Sequence, residues 1–145
     1  MQFDRIRLME HLALESRLSL PEICEAMRRR FGWPEFAFDS ENETEWGVVE
    51  HEGIEYNVSR PFSRGTLRKW DNTVPVGCDI GVTFALSQDF PPDRDSAWSA
   101  FEFAPSFGQQ LADLLGRRVC HHRSWHGVGK NVRRNGVFEP TAGRK

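Results

Sequence analysis

The stretch TEWGVVEHEGIEYNVSRPF, residues 44–62, decides the fold. Its first run alternates, with Trp46, Val48 and Glu50 on one side and Glu45, Gly47 and Val49 on the other. A turn follows at His51-Glu52-Gly53, and Ile54, Tyr56 and Val58 then continue an apolar face opposite Glu55, Asn57 and Ser59. Period-two runs joined by a Gly-containing turn define a β-hairpin. Pro61 cannot donate to a ladder and ends the second strand. The reading sets Glu45 and Glu55 opposite each other, on the face away from Val48 and Tyr56. Like charges placed that way repel by a fraction of a kilocalorie per mole.

Working outward, the residues before the hairpin read as two helices. Phe3, Ile6, Met9, Leu12 and Ala13 recur at helical spacing. The second helix is the better marked. Ser19 and Glu22 form an S-x-x-E capping box, with Pro21 in the first turn. Leu20, Ile23, Cys24, Met27 and Phe31 make one apolar stripe. Arg28, Arg29 and Arg30 fill the last turn, where positive charge suits the helix dipole, and Gly32 and Pro34 stop the helix. This position accounts for the triple arginine without nucleic acid.

After the hairpin, residues 63–77 read as a loop anchored by Trp70, and CDIGVTFALSQ as a strand with Ile80, Val82, Phe84 and Leu86 on one side. FPPDRDS is a loop from which Asp95 or Ser96 caps a helix starting at Ala97, restarted or kinked at Pro105. Phe107, Leu111, Leu114 and Leu115 form its stripe and Gly116 ends it. VCHHRSW reads as a strand, HGVGKN as a loop and VRRNGVFE as a last short strand. Residues 141–145 form a frayed tail. The expected fold is α+β: one domain over residues 1–145, an antiparallel sheet with two N-terminal helices and one later helix packed on it.

Composition agrees with a globular chain: 39% hydrophobic and 28% charged, with five Trp and eleven Phe. The N-terminus lacks a signal-peptide core and no apolar run is long enough to span a bilayer. Cys24, Cys78 and Cys120 are scattered and odd in number, which points to a reducing cytoplasm. Net charge is −2 but unevenly spread. Residues 35–62 carry eight acids (Glu35, Asp39, Glu41, Glu43, Glu45, Glu50, Glu52 and Glu55) against one base, Arg60. Residues 96–145 carry eight bases against three acids. The two blocks either neutralise each other on folding or leave an acidic patch that steers a basic partner.

Candidate chemistry is thin. Cys120, His121, His122 and His126 are metal-ligand residue types, but neighbours on a strand point to opposite faces, and no metal or other cofactor is expected. No G-x-S-x-G elbow occurs, and HGVGKN lacks the phosphate-loop pattern. The basic run from Arg117 to Arg134 surrounds Trp125. It suits pairing with the acidic hairpin better than direct nucleic-acid contact.

The stretch EWGVVEHEGIEYNVSRPFSRGTLRKWDNTVPVGCDIGVT, with H-R-S-W at residues 122–125, resembles small bacterial immunity proteins of polymorphic or contact-dependent toxin systems. The resemblance covers mainly residues 44–83. It implies a cytoplasmic, non-catalytic protein that binds a cognate toxin domain. Many such toxins are nucleases with basic clefts, for which an acidic surface acts as phosphate mimic and electrostatic guide. The implied partner-binding residues are Asp39, Glu41, Glu43, Glu45, Glu50, Glu52 and Glu55, with Trp70 as an aromatic anchor. Two alternatives stand beside it: a structural or regulatory subunit, and a metal-dependent enzyme centred on Cys120, His121, His122 and His126.

Overall fold

The computed structural model describes residues 9–87, 99–124 and 135–141. They form a seven-stranded sheet in which every neighbouring pair is antiparallel. In chain order the elements are β1 (Met9–Leu14), α1 (Leu20–Phe31), β2 (Ala37–Ser40), β3 (Thr44–His51) and β4 (Ile54–Pro61). There follow α2 (Thr66–Trp70), β5 (Ile80–Leu86), α3 (Ala104–Leu115), β6 (Val119–Ser124) and β7 (Gly136–Phe138). Across the sheet the order is β2-β3-β4-β5-β1-β6-β7. The α+β class holds; two N-terminal helices do not.

The expected first helix is the correction. Met9–Leu14 is an interior strand between β5 and β6. Leu12 and Leu14 point to the helix-covered side, and Ala13 is buried on the other. A strand covered on both faces loses its alternation. Glu10, fully buried on the same side as Leu12, further disguises the pattern.

The second expected helix forms as read. Ser19 Oγ accepts from the Glu22 N–H at 3.2 Å, and the Ser19 N–H donates to Glu22 Oε1 at 2.8 Å, closing the capping box. Gly32 takes the left-handed conformation that ends the helix. Glu25 receives Arg28 and Arg29, which hold its carboxyl down at about 2. Two arginines of the triplet thus have an intrahelical role.

The hairpin also forms, closed by Glu52 (φ 51°) and Gly53 (φ 80°). Two successive positive φ values give the turn whose twist matches the strands. Its faces differ from the expected ones. Val49 pairs with Tyr56 and Gly47 with Val58, and these share the helix-covered side. Trp46 and Val48 lie on the opposite side, away from Tyr56. Arg60, not Glu55, stands opposite Glu45, and Glu55 stands opposite Glu50.

Helices α1 and α3 cover one face of the sheet. Between them and the strands sits an aromatic cluster: Trp33 stacks on Tyr56 at 4.2 Å, and Phe107 lies 5.3–5.4 Å from Phe31, Tyr56 and Phe84. Leu12, Ile23, Val82 and Leu111 close the core around it. The stretch read as a loop at 63–77 contains α2. This short helix covers part of the other face, where Leu67 packs with Ala13 and Val74. Helix α3 begins at Ala104, with Pro105 in its first turn. The expected cap at Asp95 or Ser96, and the 126–131 loop, lie outside the described residues.

Candidate functional site

Strand parity sorts the acidic residues onto two faces and a turn. Asp39 pairs with Trp46, and Glu50 with Glu55, so Asp39, Glu50 and Glu55 project from the face opposite α1 and α3. Trp46 and Val48, both half-buried, lie between them. Glu41 and Glu43 are exposed at the turn joining β2 to β3, and Glu52 is exposed at the hairpin tip. Trp70 is exposed at the end of α2. Glu45 is the exception: it lies on the α1 side. Burial, with Glu45 adding its negative charge, pushes the Cys24 thiol up to about 12.

Several described bases have partners outside the hairpin. Arg60, the one base of the acidic block, donates to the carbonyls of Ser16 and Leu18 and lies 3.5 Å from Asp79. It ties the segment after β1 to the end of β4 and to the residue before β5. Arg117 reaches Glu15 at 3.4 Å, Arg118 reaches Glu139 at 2.7 Å and Arg123 reaches Asp71 at 3.5 Å. These three described arginines of the basic block therefore do not meet the hairpin acids. Lys130, Arg133 and Arg134 lie outside the described residues. Glu50 accepts from the Ser87 hydroxyl, and Glu52 sits 3.0 Å from His51.

An open depression of about 840 Å³ lies beneath the hairpin tip, between Glu52, Tyr56, Leu86 and Phe103. Burial first, and then the Glu52 charge, push the Tyr56 hydroxyl up to about 12. It stays protonated at physiological pH.

The Cys/His segment divides between the two faces. His121 points to the helix side and is 1% exposed. Its Nε2 is 2.7 Å from Glu10 Oε1, and Ser124 Oγ donates to the same carboxylate at 2.9–3.0 Å. The serine meets the glutamate rather than the imidazole, so this is not a nucleophile–base pair. It is a buried polar bridge between β1 and β6, placed beside the register shift at His11/Leu12. Among the described residues His121 Nδ1 has no hydrogen-bond partner. The sequence reading missed this bridge, because Glu10 had been placed on a helix.

His122 points the other way. Asp71 Oδ1 accepts from the Thr73 hydroxyl at 2.6 Å, and Thr73 Oγ1 is 2.8 Å from His122 Nδ1. A hydroxyl that gives its proton to Asp71 accepts at His122, which makes Nδ1 the protonated nitrogen. The His11 ring lies 6.1 Å from that of His122. Burial lowers both imidazoles to about 4, so they are neutral near pH 7. Cys120 shares this face and lines a cavity with Cys78; burial raises both thiols, away from the reactive thiolate. Among the described residues no group of three or more His, Cys, Asp or Glu is placed to hold a metal ion. His126 lies outside them. Nor is any described helix long and apolar enough to cross a membrane.

Comparison of the chain with protein families, curated proteins and solved structures finds no match.

Proposed function

We propose that this protein is an immunity protein: it binds a cognate bacterial toxin domain in the cytoplasm and neutralises it without turnover. The observation that carries the reading is the distribution of charge. Asp39, Glu50 and Glu55 share one sheet face, Glu41, Glu43 and Glu52 rim it, and Arg60, Arg117, Arg118 and Arg123 are held by other partners. The likeness of residues 44–83 to immunity proteins supports the same class. Such a field accelerates encounter with a basic surface and orients it. Trp46 and Val48, set among the acids, provide apolar contact area. Against a nuclease, the carboxylates occupy the sites of substrate phosphates.

The test is co-purification of the tagged protein from its host, followed by reconstitution with the partner recovered. One stoichiometric partner carrying a toxin domain, whose activity disappears at one equivalent of this protein, is the expected result. A partner whose activity is unaffected at saturation would remove the immunity reading.

A further inference from the structure

One edge of the described sheet is exposed. Strand β2 ends the sheet, and all four of its residues are exposed. The Glu41–Thr44 pair exchanges two backbone hydrogen bonds, at 2.8 and 3.4 Å. Antiparallel pairs alternate between bonded and non-bonded positions. From the register, Asp39–Trp46 and Ala37–Val48 are therefore bonded pairs. The N–H and C=O of Phe38 and Ser40 point outward, away from β3. Asp39 Oδ1 accepts from the Ser40 N–H at 2.8 Å. Among the described residues no backbone group pairs with Phe38 on its outward side.

Beside this edge lies a cavity of about 340 Å³ lined by Pro21, Cys24, Phe36 and Phe38, with Glu25, Arg28 and Glu35 at its rim. It sits on the α1 side, the side to which Phe38 projects: a Cβ on Gly47 would meet the Phe38 ring at 2.9 Å and Cys24 Sγ at 3.2 Å. Phe38 is 52% exposed. A residue pairing with Phe38 on an added strand would send its side chain to the same side, into this cavity. Its two neighbours on that strand would project to the opposite face, beside Asp39.

Charge selects the occupant. Paired antiparallel about Phe38, a second copy of this edge would set Glu35 against Glu41 at both ends, which like-charge pairing disfavours. A strand with cations at the outward positions would meet Asp39 favourably. We propose that β2 is a docking strand for an extended segment of a basic protein partner, alternating apolar and cationic residues, with an apolar side chain seated between Phe36, Phe38 and α1. This is sheet augmentation, in which main-chain bonds hold the segment and alternate pockets select it. Its biological partner rests on the toxin-binding reading above; the strand-docking chemistry does not.

The probe is a dye-labelled, end-blocked peptide alternating valine and lysine, with a valine–glutamate peptide as control. Anisotropy measures binding, and amide hydrogen exchange by NMR locates it. The lysine peptide is expected to bind saturably and slow exchange at Phe38, while the glutamate peptide does not bind. Phe38→Pro keeps the β2–β3 bonds but removes the outward N–H and the cavity wall, and should weaken binding by roughly tenfold or more. Should that variant unfold, Asp39→Lys decides: it should reduce affinity for the lysine peptide and raise it for the glutamate one. Unchanged exchange at Phe38 on saturation, or equal binding of both peptides, overturns the proposal. The two proposals fail separately. A toxin neutralised as well by Phe38→Pro as by the native protein refutes the edge alone. A peptide that docks at Phe38, in a protein whose partner is not a toxin, refutes the immunity reading alone.

Discussion

The two faces of the sheet are built differently. The face under α1 and α3 carries Leu12, Val58, Val82 and Phe84, all at most 1% exposed. Among the described residues its buried polar pair, Glu10 with His121, is joined through His121 Nε2 and braced by Ser124. The opposite face carries Trp46, Val48, Asn57 and Thr83, with Asp39, Glu50 and Glu55 around them, and only part of it is covered by α2. On the proposed function, stability resides mainly on the first face and recognition on the second. Substitutions should separate along the same line.

The largest effects belong to the helix-covered face. Phe84→Ala should cost about 3–5 kcal/mol, as expected for a large aromatic removed from a close-packed core. Thr83→Ala, the next residue but on the other face, should cost about 1 kcal/mol or less. Equal shifts in a urea midpoint would break the comparison. Glu10→Ala should cost about 1–3 kcal/mol, because it leaves the buried His121 Nε2 and the Ser124 hydroxyl without the carboxylate they bond. A loss confined to a few tenths would mean that the Glu10–His121–Ser124 bridge carries little.

Acid should sharpen the contrast from the other side. His11 and His122 have folded values near 4, below the unfolded value near 6.5. The unfolded chain then binds more protons between those values, so stability falls as pH drops from about 6.5 towards 4. Asp71, held below its usual value chiefly by the Thr73 bonds working against its burial, adds a loss in the same direction at lower pH. The double variant His11→Asn/His122→Asn should flatten the denaturation midpoint between pH 7 and 5. An unchanged slope would place the acid sensitivity elsewhere.

Smaller again is Ser19→Ala, which removes one arm of the capping box and should cost about 1 kcal/mol in a urea titration. Smallest in stability is Glu50→Lys. It turns a like-charge pair with Glu55 into an opposite-charge one and loses the Ser87 bond. The net change should stay within about 0.5 kcal/mol. The same variant should weaken partner binding, which is what divides the faces.

How much of this was legible in the sequence follows from what each element shows of itself. Helix α1 was legible because its caps are local: Ser19, Glu22 and Gly32 carry the signal within the segment. The hairpin was legible because Glu52-Gly53 and the alternation are local too. Strand β1 was not, since it is covered on both sides and holds Glu10 in the interior. The facing of β3 was ambiguous because Trp46 and Val48 on one side rival Val49 on the other in hydrophobicity; only the pairing with β4 resolves it. The acids were visible as a block, but which of them share a face depended on that register, and Glu45 went to the α1 side. Strand β2 has no buried residue and hence no period to read. The Glu10–His121–Ser124 bridge joins residues more than a hundred positions apart, which no local pattern reveals.

The central claim is that the face carrying Asp39 and Glu50 binds the partner. The most direct measurement is the affinity of the purified partner for Asp39→Lys/Glu50→Lys, compared with Glu102→Lys/Glu139→Lys, which makes the same change in net charge away from those two acids. The account predicts a loss of roughly a hundredfold or more for the first pair, with a shallower salt dependence, and near-native affinity for the second. Equal losses for both pairs, or none for the first, would contradict it.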